Sequence, residues 1–329
     1  MIINFVIFIL VALYALNMGL GNYATSFASA HGSGIISTKK SQLLFIFFVS
    51  IGAITLGDKV SGTLSGKIIP SELINNQTVA IILFSATFCL FIANTIRLPQ
   101  STSLVAVGAI LGVGFYYNNF YLKNFLYLIP CWILFPILGY FLTYFCCALI
   151  YPSRSTNFWV YEKSARYKKI LENFVIISSC YNAFSIGSNN VANAVGPLVG
   201  GNITNAAFGL LLVSPIFGLG SIVFPSIIHK TGKEIIPIGL ISASITCLVC
   251  GTLMIIASCM GIPQSLVMIK VAAITAVSSI KDGHQMTFNN MLLRKMYLTW
   301  IIMPFVAIII SFLLTALVSR ITLNYGIIE

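Results

Sequence analysis

Ten apolar stretches follow one another along this chain, at roughly 2–20, 41–57, 78–96, 100–117, 122–150, 171–187, 206–228, 236–260, 264–280 and 297–319. A helix needs about 20 apolar residues to cross the hydrocarbon layer of a membrane. The stretches approach that length and lack the alternation of strands. Lipid satisfies no backbone hydrogen bonds, so segments of this kind must be helical. A soluble alternative is closed off by composition, since 58% of the 329 residues are hydrophobic and only 8% are charged. The expected fold is all-α, a polytopic membrane protein with about ten or more transmembrane or re-entrant helices. The run from Ile2 to Leu16 has no positive n-region and no convincing cleavage site, which predicts a retained helix rather than a signal peptide.

Charge sets the orientation. The strongly charged loop from Tyr151 to Glu172 carries Arg154, Lys163, Arg166, Lys168 and Lys169 against Glu162 and Glu172, and is expected on the cytoplasmic side. Alternating sides from there places Lys39, Lys40, Arg97, Lys230, Lys233, Arg294 and Lys295 inside, and Lys67, Lys123 and Arg320 outside. Both termini then lie outside a cell membrane crossed many times. The net charge of +11 follows from this bias and does not call for nucleic acid. Eight cysteines fall in apolar runs and read as small hydrophobes; the Cys247 to Cys250 spacing has no accompanying histidine or second pair to make a metal site.

The most polar interruption is Gly187-Ser188-Asn189-Asn190-Val191-Ala192-Asn193-Ala194-Val195-Gly196-Pro197. Backbone that leaves the helix at membrane depth must be buried in protein or line a cavity. Aligned on itself at an offset near 168, the chain brings Gly19, Asn22, Ala24 and Gly32 onto Gly187, Asn190, Ala192 and Gly200. At an offset of 164, Pro99-Gln100-Ser101 recurs as Pro263-Gln264-Ser265. Two halves of about 165 residues are implied. Each holds five apolar stretches, and an odd number of crossings turns the second copy upside down. The expected division is a first repeat over 1–150, a basic loop over 151–170 and an inverted second repeat over 171–329. Inverted repeats are a transporter architecture, although a duplicated channel shares the symmetry.

Three constellations could carry chemistry. Asn22, Thr25, Ser26, Ser29, His31 and Ser33 stand with Ser188, Asn189, Asn190 and Asn193 around the paired breaks, where half-helix N-termini suit a small oxyanion. The alternative is that small polar residues merely pack helix on helix. Ser101, Thr102 and Ser103, matched by Ser265, form helix-opening turns that are anion cradles or simple caps. Among intramembrane charges, Asp58-Lys59 and Lys281-Asp282 lie near segment ends and can snorkel, whereas Lys270 lies deeper and is the candidate to face an anion. His31 is the side chain near the break that titrates around neutrality, a candidate for proton coupling or a structural hydrogen bond. Nothing reads as an enzyme, with His229 and His284 alone in loops, and no cofactor or metal is called for.

Over Gly187 to Pro197 the chain resembles the inorganic phosphate transporter family, whose signature there is G-A-N-D-V-A-N-A followed by G-P. Phe27 to Gly34 and Pro99-Gln100-Ser101-Thr102-Ser103 are similar to the first-copy tail and the P-x-S-T-T turn of that family. Asn190 stands where the family has its aspartate, Gly21 and Asn22 stand where it has N-D, and Leu104 replaces a histidine. The carboxylates that couple cations are absent from both copies. Phosphate near neutral pH carries a proton that a buried carboxylate can accept; sulfate has none and is only repelled. Together with Trp300 and Pro304, the resemblance is closest to the sulfate permease branch of the family.

The expected function is inward transport of sulfate, coupled to protons rather than sodium, with phosphate as the alternative substrate and an anion channel as the remoter one. The expected anion contacts are Ser101, Thr102, Ser103, Asn189, Asn190, Asn193 and Ser265, with Asn22, Thr25 and Ser29 as the first-repeat wall. His31 and Lys270 are expected to serve coupling or charge compensation. The resemblance also implies a homodimer.

Overall fold

The computed structural model describes residues 2–96, 100–223 and 239–325, where all regular elements are helices. The expectations at Arg97, Pro99, His229, Lys230 and Lys233 lie outside the described residues. Helices α1 (Ile2–Gly32), α2 (Thr38–Leu56) and α3 (Asp58–Gly66) lead to α4 (Asn76–Thr95), α5 (Thr102–Tyr116) and α6 (Leu122–Ala148). The short α7 (Phe158–Arg166) connects to α8 (Lys168–Asn190), α9 (Ala192–Gly200) and α10 (Ala206–Val223). Then come α11 (Leu240–Cys259), α12 (Leu266–Lys281), the brief α13 (His284–Phe288) and the long α14 (Met291–Tyr325).

Each of the ten apolar stretches falls on one of these helices within the described residues. Seven are long and apolar enough to cross a membrane: α1, α2, α4, α6, α10, α11 and Leu293–Thr322 of α14. By that measure the count stays below ten, because α5 and α12 have only 15 and 16 residues and α8 opens on Lys168, Lys169 and Glu172. Side chains at 133, 141 and 145 of α6 and at 301, 305 and 313 of α14 are large, apolar and exposed, as lipid-facing surfaces are. The interior is centred on buried aromatics, with the Phe45 ring 5.4 Å from Tyr23, 6.5 Å from Phe27 and 6.3 Å from Phe217.

Helix boundaries recur along the chain. Thr38 and Ala206 open α2 and α10 at a separation of 168, and Asn76 and Leu240 open α4 and α11 at 164. The packing recurs with them, because α1 crosses α10 as α8 crosses α2, and α5 crosses α14 as α6 crosses α12. At the first pair of crossings the backbones touch. A Cβ on Gly19 would overlap the Phe217 carbonyl oxygen, and one on Gly187 the Val49 carbonyl oxygen. Gly220 and Gly52 meet the carbonyls of Leu16 and Phe184 in the same way. Small residues permit this approach where helices lack a hydrophobic drive to associate in lipid.

The paired breaks expected from the sequence are unequal. In the second half the helix is interrupted at Val191 alone, between α8 and α9, and Pro197 has no N–H to offer the Asn193 carbonyl. In the first half α1 runs unbroken through Gly19 to Gly32. No proline follows Asn22, whose side chain donates back to the Met18 carbonyl at 2.8 Å and so sits within the helix. The expectation of a first-copy break is corrected accordingly.

Candidate functional site

Two helix N-termini meet in the interior. Ser101 caps α5, its Oγ accepting from the Leu104 N–H at 3.3 Å, and Ser265 caps α12, accepting from Met268 N–H at 3.4 Å. In each first turn the next acceptor is the cap carbonyl, which takes Val105 N–H at 3.3 Å in α5 and Ile269 N–H at 3.3 Å in α12. Helix geometry therefore leaves the N–H groups of Thr102, Ser103, Leu266 and Val267 without intrahelical acceptors. The ends are joined by Ser103 Oγ, which donates to the Gln264 carbonyl at 2.9 Å. Both dipoles thus bring their positive ends to one region, which favours negative charge.

The asparagines of the interruption are tied to these turns, and carbonyl partners set which way each amide faces. Asn189 Nδ2 donates to the Ile262 carbonyl at 2.9 Å and to Ser258 Oγ at 3.0 Å, so its Oδ1 accepts the Gln264 N–H at 2.9 Å. The Ser103 proton is committed to Gln264, so Ser103 Oγ accepts from Asn193 Nδ2 at 3.1 Å; Thr102 Oγ1 lies 3.4 Å from the same nitrogen. Asn22 Nδ2 is committed to Met18, which leaves Asn22 Oδ1 to accept from Asn190 Nδ2 at 2.9 Å. That bond joins the two halves directly. Ser188 completes the cluster, 2.9 Å from Ser258 Oγ.

Among the buried polar atoms without a protein partner are Asn190 Oδ1, Asn193 Oδ1, and both amide atoms of Gln100 and of Gln264, the residues that precede the two caps. Gln264 is fully buried and Gln100 nearly so. A buried polar group without a hydrogen bond costs about 1–3 kcal/mol, so orphaned atoms on residues of this network are candidates to meet a polar guest. The clustered side chains are amides and hydroxyls, none of which titrates near neutrality. Among the described residues no three His, Cys, Asp or Glu side chains stand together. A cation held here would rest on neutral oxygens such as Asn190 Oδ1 and Asn193 Oδ1.

The fold thus gathers Asn22, Ser101, Thr102, Ser103, Asn189, Asn190, Asn193 and Ser265 into one buried network. Thr25 lies one turn beyond Asn22, its Oγ1 donating to the Asn22 carbonyl at 2.8 Å. Ser29 and His31 are carried away along α1, with His31 Nδ1 3.4 Å from the Ile36 carbonyl at the helix end, about 13 Å of helix rise past Asn22. Lys270 is buried, but its Nζ lies 3.0 Å from Cys247 Sγ, about 16 Å along α11 from the Ser258 level. It shares no side-chain bond with the network. Sequence reasoning left out Gln100, Gln264 and Ser258. The repeated Pro-Gln-Ser motif already contained both glutamines, whereas Ser258 lies in an ordinary apolar run with no signal.

Comparison with known proteins agrees over most of the chain. Residues 18–311 match the model of the phosphate transporter family. Sulfate permease CysP of Bacillus subtilis is 34% identical over 310 residues, 92% of this chain and 85% of that protein. A putative phosphate permease of Methanocaldococcus jannaschii is 26% identical over 307 residues, 92% of this chain and 93% of the relative. Among solved structures, the sodium-dependent phosphate transporter superimposes with a TM-score of 0.86 at 20% identity, covering 98% of this chain and all of that one.

Proposed function

The chain belongs to the phosphate transporter family, multi-pass membrane transporters of inorganic anions, and from that premise we propose that the anion it carries inward is sulfate. The observation that carries this reading is the neutral Asn22–Asn190 bond across the halves, at positions where the family resemblance places aspartates. A site of amides, hydroxyls and helix N-termini gives donors to a dianion and gives a phosphate proton no carboxylate to bind. The name of the Bacillus subtilis relative supports sulfate. Phosphate is the second reading, favoured by the name of the archaeal relative.

In this proposal Thr102, Ser103, Asn193, Gln100 and Gln264 contact the anion, Asn190 and Asn22 set the wall that tells sulfate from phosphate, and Ser101 and Ser265 hold the two first turns open. Ser29 and Thr25 line the first-half approach. The halves are inverted repeats, and their exchange of packing partners is what supports alternating access by one bundle rocking against the other. Coupling is to protons, with His31 on α1 as the coupling residue; Lys270 compensates charge from a distance. The termini lie outside the cell membrane, and the protein is a homodimer.

Uptake of labelled sulfate and phosphate into vesicles, under imposed proton or sodium gradients, tests the reading. Sulfate uptake driven by a proton gradient is expected; phosphate uptake without sulfate uptake sinks it. Counterflow separates a carrier, which exchanges internal for external anion, from a channel, which does not. A finer test is Gln264→Leu. Losing the amide is expected to weaken sulfate binding at least tenfold, about the value of one charge-assisted hydrogen bond. Thermal stability should hold or rise, because a buried amide without a protein partner is replaced by an apolar group of similar size. A stability loss that parallels the binding loss would make Gln264 structural.

A further inference from the structure

The connector between the halves is built. Asn157 is buried, and its Nδ2 donates to the carbonyls of Leu149 at 3.3 Å, Ile150 at 2.9 Å and Pro152 at 3.0 Å, while its Oδ1 accepts the Arg154 N–H at 2.6 Å. Tyr161 Oη donates to the Ile150 carbonyl at 2.7 Å. These bonds pin α7 to the C-terminal end of α6, at the level where that membrane-spanning helix stops. The end of α12 arrives at the same place, with Lys281 Nζ 5.0 Å from the Tyr151 ring.

Spacings of four and three residues put Trp159, Lys163 and Arg166 on one face of α7. Lys163 Nζ lies 5.2 Å from the Trp159 ring, and the Arg166 guanidinium 5.8 Å from the Tyr167 ring. Around them Leu149, Phe158, Trp159 and Ile170 are 77%, 60%, 57% and 66% exposed. This apolar surface continues into the exposed Phe174 and Ile177 of α8. Arg154, Lys163, Arg166, Lys168 and Lys169 are exposed beside it, against Glu162 and Glu172, the latter 3.8 Å from Lys168. Aromatic rings and cations interleaved at the end of a membrane span are suited to the interface.

We propose that α7 is an interfacial helix and that its Trp159, Lys163 and Arg166 face binds the head groups of anionic phospholipids. The occupant must offer phosphate to the cations and hydrocarbon to Phe158, Trp159 and Ile170 at once. A lipid does both, and α6, to whose end α7 is tied, is long and apolar enough to cross a bilayer. Free phosphate offers no hydrocarbon, and an acidic peptide would have to displace the lipid. The proposal is independent of which anion the chain transports.

The test uses the full chain in vesicles of phosphatidylcholine mixed with phosphatidylglycerol, with brominated acyl chains on one lipid or the other. The fluorescence lost on Trp159→Phe defines the Trp159 signal. Brominated phosphatidylglycerol is expected to quench that signal more than brominated phosphatidylcholine at equal mole fraction, with a local enrichment of about fivefold, the effect of one basic side chain near an anionic surface. The preference should vanish when Lys163→Gln and Arg166→Gln are combined. Equal quenching by both lipids overturns the proposal, as does a Trp159 signal quenched by aqueous acrylamide and by neither lipid. Should the double variant not fold, the lipid preference of the unaltered chain still decides.

Discussion

Asn190→Asp is expected to abolish most sulfate binding while leaving the protein folded. The native amide donates to Asn22 Oδ1 at 2.9 Å, and Asn22 cannot turn round because its own Nδ2 is held by the Met18 carbonyl. A carboxylate at 190 would face that acceptor with an acceptor and add a negative charge to a site that holds none. At about 5 Å and an effective dielectric constant near 20, each unit of charge on the anion is opposed by roughly 3 kcal/mol. A fall of at least about a hundredfold in sulfate affinity follows, measured by equilibrium binding in detergent. Asn22→Asp is the companion variant. It keeps an acceptor for Asn190 Nδ2, so the cross-half bond survives, while the charge arrives together with loss of the bond to the Met18 carbonyl. Phosphate should be weakened less in both variants, since its proton can be shared with the carboxylate. Equal losses for sulfate and phosphate would remove the basis for choosing between them.

Gly187→Ala is expected to cost about 3 kcal/mol of stability, the upper end for overpacking, because the added methyl overlaps backbone rather than a movable side chain. Its neighbours are the Val49 carbonyl and the Ala53 nitrogen of α2, and neither can give way without separating the helices. Thermal melting in detergent, followed by loss of monodisperse protein, reads the effect. Gly21→Ala is the control. It lies on the same kind of helix with nothing near its Cβ, and should be neutral or stabilising by up to about 1 kcal/mol through helix propensity. If the two variants melt together, the close crossing is not what holds α8 against α2.

Much of this protein was determined by sequence alone, and for a local reason. Hydropathy over some twenty residues decides whether a segment can live in lipid, and Ser101 and Ser265 announce their helix starts through their own caps. The repeat of Pro-Gln-Ser and the glycines at 19 and 187 were visible for the same reason, as residues whose roles are defined by their own turn or crossing. Meetings between helices were not visible. Whether Asn190 reaches Asn22, or Ser103 the Gln264 carbonyl, depends on how α1, α5, α8 and α12 cross, and nothing within twenty residues encodes that. His31 is carried away from the cluster by the rise of its own unbroken helix and the Lys270 ammonium is drawn off to Cys247, while the crossings brought in Ser258 from a featureless apolar run. Even the unequal breaks were a tertiary matter in part. Local chemistry supplied Pro197 to the second half alone, whereas the Asn22 side chain of the unbroken α1 turns its nitrogen to its own helix and its oxygen to the opposite half.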